Sequence, residues 1–309
     1  MKILVYGAGA MGLYFAATLA KNKNTVYLKT RNMWDTRGEI TVHKPGETDQ
    51  VIQLTQVFEQ LPHNMDVDLV IIATKAWQVR VAVKDCREKI PSSAVILTFQ
   101  NGISAPENVA ELLQENPVVA STCIVSVKRE KPGTVSLLGH EAKIVIGYFK
   151  EETNQNHVNE IAKVFKKTPI EVQETDDIHR FLWEKLSLSA SYGGVGAVSN
   201  LPVGQTRSHT TTRSMVYEAI KECVEVARAY SIDFTNQDIE DTFAIYADDV
   251  DFDTTSSMQR DFAEGKPSEL EDQVGEIIRR AQTKNVCVPT HEFLYKILKA
   301  REEIARNER

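Results

Sequence analysis

Apolar positions in the first half of the chain fall into short continuous runs separated by stretches with helical spacing. Residues 2–6 (KILVY, with Lys2 set aside), 25–30, 68–73 (DLVIIA) and 94–99 (AVILTF) predict strands buried on both faces. Residues 11–21 repeat apolar side chains at the helical period. This alternation predicts an α/β fold, a Rossmann-type doubly wound parallel sheet with helices on both faces. Residues 118–126 and 133–147 read as glycine-punctuated strands that extend or close the same sheet. Strand signals then stop. Helical patterns over 178–190, 211–230, 269–284 and 290–307 predict an all-helical C-terminal domain, with the boundary near residue 175. The expected domains are therefore 1–175 and 176–309. The last helix ends in alternating charges, which suits a solvated face.

Composition narrows the partners. The 309 residues carry a formal net charge of -7, with 42% hydrophobic and 26% charged residues. An acidic chain is a poor match for nucleic acid, although a small anion can still bind a locally basic pocket. No apolar run reaches membrane-spanning length. The first twelve residues read as a strand and a glycine turn rather than a signal peptide. Cys86, Cys123, Cys223 and Cys287 are scattered, without a CxxC pair. Buried free thiols in a reducing, cytoplasmic compartment are expected. No His/Cys/Asp/Glu grouping has metal-ligand spacing.

The stretch KILVYGAGAMG contains Gly7-x-Gly9-x-x-Gly12. GxGxxG alone is weak, but here it follows an apolar strand and opens a helix. Gly7 makes the tight turn, Gly9 admits a pyrophosphate close to the backbone, and Gly12 lets helix and strand pack closely. The N–H groups from Ala10 and Met11 onward complete an anion site at the helix N-terminus. The second strand ends in Lys29, Thr30, Arg31 and Asn32, and no acid occurs before Asp35. A carboxylate there would hold ribose hydroxyls and repel a 2′-phosphate, whereas Arg31 can clamp that phosphate. The expected cofactor is NADPH.

Further motifs follow in order: Thr74-Lys75-Ala76-Trp77-Gln78, Gln100-Asn101-Gly102, Lys131-Pro132-Gly133-Thr134-Val135, Trp183-Glu184-Lys185-Leu186, Thr255-Ser256-Ser257-Met258, Ser268-Glu269-Leu270-Glu271 and Val288-Pro289-Thr290. The ordered set spans nearly the whole chain and resembles the ketopantoate (2-dehydropantoate) 2-reductase family. The resemblance implies NADPH-dependent reduction of ketopantoate to pantoate. It implies Lys185 as general acid and Glu269 as an acid that hydrogen-bonds the substrate or orients Lys185. It further implies Ser257 as a substrate-carboxylate ligand, with Lys75 and Asn101 lining the cofactor and substrate site. Strand ends are where open α/β sheets bind ligands, which agrees with the positions of Lys75 and Asn101. On local grounds alone, Ser268 can cap the helix predicted to begin at 269, with Glu269 at its positive end. The long C-terminal helices and the resemblance also allow a homodimer.

One departure concerns the substrate. The family pattern implies asparagines four and eight residues after the lysine, on one helical face; here those positions are Ser189 and Gly193. Ser189 can still offer one hydrogen bond to substrate, and Ser191 or Tyr192 are candidates to replace the rest. The run Ser-Ala-Ser-Tyr-Gly-Gly-Val-Gly predicts a helix that ends or breaks, since each interior glycine costs about 1 kcal/mol relative to alanine. The alternatives are a relative that reduces another 2-oxo acid, a non-catalytic NADPH sensor, or a dehydrogenase using a histidine such as His179 or His291.

Overall fold

The computed structural model describes residues 1–34, 38–150 and 153–307. Asp35, the first acid after the second strand, lies outside them. The strands are β1 (Lys2–Tyr6), β2 (Thr25–Lys29), β3 (Glu39–His43), β4 (Gln50–Gln53), β5 (Gln56–Phe58), β6 (Leu69–Ile72), β7 (Val95–Thr98), β8 (Val118–Ile124), β9 (Val127–Lys131), β10 (Thr134–Leu137), β11 (Lys143–Tyr148) and β12 (Glu171–Glu174). The helices are α1 (Ala10–Lys21), α2 (Val79–Cys86), α3 (Ser104–Leu112), α4 (Gln155–Phe165), α5 (Ile178–Ser199), α6 (Val203–Ser208), α7 (Thr210–Ala229), α8 (Asn236–Ala244), α9 (Ser257–Ala263), α10 (Val274–Lys284) and α11 (Pro289–Asn307). They form two compact units: Met1–Gln100 with Ala105–Ile178, and Asn101–Ser104 with His179–Arg309.

The first unit is built on an eight-stranded sheet in the order β12-β11-β8-β7-β6-β1-β2-β5. Its pairs are parallel except β11 with β8. Alternate residues of the central strands feed separate cores. Ile3, Val5, Leu69 and Ile71 pack on one face among Leu13, Phe15 and Phe165. Leu4, Val70 and Ile72 pack on the other among Val79, Val83 and Val109. Both faces are buried, which is why these strands read as unbroken apolar runs.

A second sheet, β4-β3-β10-β9, stands beside the single sheet that the apolar pattern predicts. Its strands are short, and β4 and β9 are largely exposed polar edges with no apolar run to announce them. It also corrects the reading of 133–147. β11 extends the main sheet, whereas β10 pairs with β3 and β9.

The second unit is helical. α5 is one continuous helix of 22 residues, so the expected break near Ala190 does not occur. The glycines are instead points of close packing. A Cβ on Gly193 would lie 3.1 Å from Ser256 Oγ, one on Gly194 3.0 Å from Leu294 Cδ1, and one on Gly196 2.7 Å from Gln259 Oε1. Close approach of α9 and α11 replaces the helix propensity that the glycines give up. Cys86, Cys123 and Cys223 are buried free thiols, but Cys287 is exposed, contrary to expectation. Burial pushes the Cys86 thiol up to about 12, which keeps it protonated at neutral pH.

Candidate functional site

The glycine turn joins the end of β1 to α1. Gly7 has φ +117°, and a Cβ there would press on the Ala73 backbone at 3.0 Å. A Cβ on Gly12 would lie 1.7 Å from the Gly7 carbonyl oxygen, so α1 can pack here only on glycine. Gly9 differs from both. Its backbone is extended (φ -74°, ψ -175°), a conformation open to any residue. A Cβ on it would meet nothing nearer than the Ala73 carbonyl oxygen at 4.0 Å. Neither the protein's own packing nor its backbone requires glycine at position 9. The space left there, together with the α1 N-terminus that starts at Ala10 and Met11 without a side-chain cap, fits a dinucleotide pyrophosphate.

β1 pairs with β2 on one side and β6 on the other, which brings their carboxyl ends beside this turn. The Gly7 N–H donates to the Lys29 carbonyl at 3.0 Å, and exposed Arg31 follows two residues later. Lys29 itself is buried: its Nζ donates to the Thr30 carbonyl and lies 5.4 Å from the centre of the Tyr6 ring. Lys75 is partly buried beyond β6, at the start of a short 3-10 turn (Ala76–Gln78). Gln100 has a bracing role that the sequence did not disclose. Its Nε2 donates to the carbonyls of Ile72 at 2.8 Å and Thr74 at 2.9 Å, tying the β7 and β6 ends together. Its Oε1 is buried without a hydrogen-bond partner among the described residues. Only its place in the Gln-Asn-Gly motif hinted at this.

In the helical unit, the uninterrupted α5 places Lys185, Ser189, Tyr192 and Gly193 along one face, at about 100° per residue. Ser191 lies well round the helix and is fully buried, so only Tyr192 of the two suggested substitutes shares the lysine's face. Ser189 Oγ is buried and unpartnered among the described residues. Gly193 receives the Ser256 side chain, which caps α9 by accepting from Gln259 N at 3.0 Å. Ser257 is the first residue of α9, directly after that cap. The next glycine, Gly194, lies against Val274, the first residue of α10.

The turn before α10 holds Glu269, which is 4% exposed. Asn101 Nδ2 donates to Glu269 Oε2 at 3.3 Å, and Gln273 Nε2 approaches the same oxygen at 3.5 Å. The helix expected to begin at 269 starts instead at Val274. Ser268 is not its cap: its Oγ donates to Glu302 and accepts from Leu270 N. The structure also separates three neighbouring acids. Glu271 is engaged by Tyr295, Lys299 and Arg279. Burial opposes its ionisation, but the Lys299 and Tyr295 hydrogen bonds hold it below the usual carboxylate range. Burial, then the Glu269 charge, pushes Asp272 up to about 6, and its Oδ2 has no partner among the described residues. His291 is fully buried with Nδ1 2.8 Å from Glu222 Oε2, a structural pair rather than a solvent-facing acid.

A Rossmann sheet whose glycine turn keeps room for a pyrophosphate, followed by a helical unit carrying a lysine face and a held carboxylate, defines an NAD(P)-linked oxidoreductase. Residues 3–151 match the sequence model of ketopantoate reductase PanE/ApbA, and residues 177–302 match that of its C-terminal part. The chain belongs to the PanE/ApbA ketopantoate reductase family, whose enzymes move a hydride between a nicotinamide and a 2-oxo or 2-hydroxy acid. A 2-dehydropantoate 2-reductase of Pyrococcus horikoshii is 27% identical over 308 residues, covering 98% of each chain. The crystal structure of 2-dehydropantoate 2-reductase from Methylococcus capsulatus superposes with a TM-score of 0.89 at 22% identity, over 99% of this chain and 98% of that one. D-mandelate dehydrogenase with NADH and anilino(oxo)acetate superposes with a TM-score of 0.87 at 21% identity, over 99% and 100%. At these identities the two structures establish the fold. No described helix is long and apolar enough to cross a membrane.

Proposed function

We propose that this protein reduces 2-dehydropantoate to pantoate with NADPH. The observation that carries the reading is the buried Glu269 carboxylate held by Asn101 within a family of ketopantoate reductases. Residues 1–175 act as the NADP-binding domain, through Gly7, Gly9, Ala10, Met11, Gly12 and Lys75. Arg31 meets the 2′-phosphate, because an exposed guanidinium at the end of β2 is attractive to it where a carboxylate would repel. Residues 176–309 act as the substrate domain and support a homodimer.

When bound, the reduced nicotinamide supplies the hydride to the substrate's carbonyl carbon. Lys185 gives its proton to the carbonyl oxygen as negative charge develops there. Glu269 accepts a hydrogen bond from the substrate hydroxyl or orients the Lys185 ammonium, with Asn101 fixing the carboxylate. Ser257 and Ser189 hydrogen-bond the substrate, Ser257 at its carboxylate.

A second reading, reduction of another 2-oxo acid, is favoured by one observation. The space beside Gly193 is filled by Ser256, so no amide side chain is offered from that position. Following NADPH absorbance with ketopantoate and then a panel of 2-oxo acids separates the two. Efficient turnover of ketopantoate supports the first. Turnover of a different acid alone replaces it with the second.

A further inference from the structure

Arg129 is absent from the cofactor residues named so far, yet it reaches the glycine turn. It lies on β9, in the second sheet, 121 positions from its partner, and its Nη1 donates to the Ala8 carbonyl at 3.2 Å. Ala8 stands between Gly7 and Gly9, so the guanidinium is tethered at the place where a pyrophosphate would lie. A strand irregularity lies directly beside it. Pairing between β9 and β10 runs Thr134 with Lys131 and then Val135 with Arg129, leaving Glu130 as an extra residue. Such bulges re-aim neighbouring side chains. Lys128 and Glu130 pair with each other at 3.0 Å, whereas Arg129 makes no other hydrogen bond or ion pair among the described residues.

We propose that Arg129 binds the pyrophosphate of the dinucleotide, using the N–H groups not given to Ala8. The guanidinium is a rigid fork suited to two phosphate oxygens, and the Ala8 carbonyl pre-positions it. The α1 N-terminus carries no side-chain cap, so Arg129 supplies an extra full positive charge at this turn. The assignment rests on the nicotinamide dinucleotide reading and not on the substrate. It also divides the labour between two arginines: Arg31 for the 2′-phosphate and Arg129 for the phosphates common to NADPH and NADH.

The test is titration of NADPH and of NADH into wild type and Arg129→Gln, followed by nicotinamide fluorescence, beside thermal melts. Gln keeps a donor for the Ala8 carbonyl, so its Tm should match wild type. Both Kd values should rise together, by about fivefold or more at low ionic strength, and the gap should shrink as salt is added. Arg129→Ala should show the same paired loss. Unchanged Kd values for both cofactors would overturn the proposal. So would a loss confined to NADPH, which would place the contact at the 2′-phosphate. A wild type that binds neither dinucleotide would instead remove the cofactor reading on which the proposal stands, and the proposal with it.

Discussion

The Asn101 side chain donates to the Glu269 carboxylate across 168 positions of sequence, at 3.3 Å. The neighbouring Gly102 has φ +92°, and a Cβ there would lie 2.4 Å from the Asp272 carbonyl oxygen. Two adjacent residues after β7 are thus seated on the turn that carries the proposed catalytic acid. Asn101→Ala should therefore lower kcat by about tenfold through a loosened Glu269, leaving global stability within about 1 kcal/mol. Steady-state kinetics beside a thermal melt checks this; an unaltered kcat would show that Glu269 does not depend on Asn101.

Lys185→Ala should reduce kcat by at least about a hundredfold while NADPH Kd stays within about twofold, as expected for loss of a general acid. Glu269→Ala should behave likewise. Pre-steady-state absorbance and fluorescence titration on the same preparations separate chemistry from binding. Near-normal turnover in Lys185→Ala would remove the mechanism.

Gly9→Ala offers a contrast with Gly12→Ala. Position 9 has an ordinary backbone and open space, so Gly9→Ala should melt with wild type yet bind NADPH about tenfold or more weakly. Gly12→Ala should lose both stability and binding, because its Cβ would overlap the Gly7 carbonyl. Paired melts and titrations decide; normal NADPH affinity in Gly9→Ala would show that the space at Gly9 is not the cofactor's.

Asp272 predicts a pH-dependent stability. Its folded pKa is raised to about 6 from 3.8, so the folded state holds the proton more tightly than the unfolded chain. Stability is then lost as pH rises from about 4 through 6. Asp272→Asn should match wild type near pH 4 and exceed it by roughly 1–2 kcal/mol at pH 7, after allowance for partial exposure. Denaturant titrations at the two pH values measure the difference. Equal stability at pH 7 would show that Asp272 carries no such penalty.

Gly193→Asn, which restores the family's amide, should destabilise the helical unit by about 1–3 kcal/mol through collision with the Ser256 side chain. Adding Ser256→Gly should recover part of that loss. If the double variant gains ketopantoate turnover over wild type, the Gly193–Ser256 pair is a specificity determinant.

The sequence by itself determined the features that depend on neighbours along the chain. The buried runs of β1, β6 and β7, the glycine turn before α1, the change to helices after β12 and the ordered motifs of the family were all legible there. Their apolar periodicity and turn chemistry report burial locally. Tertiary structure decided the rest. The second sheet is made of short, half-exposed strands whose pairing is long-range, so no local period betrays it. α5 continues through three glycines because Ser256, Leu294 and Gln259 fill the space beside them, which helix propensity cannot register. The tethering of Arg129 to Ala8 and of Asn101 to Glu269 joins residues more than a hundred positions apart. Such contacts exist only once the backbone has closed, since they depend on distances in space that no spacing along the chain encodes.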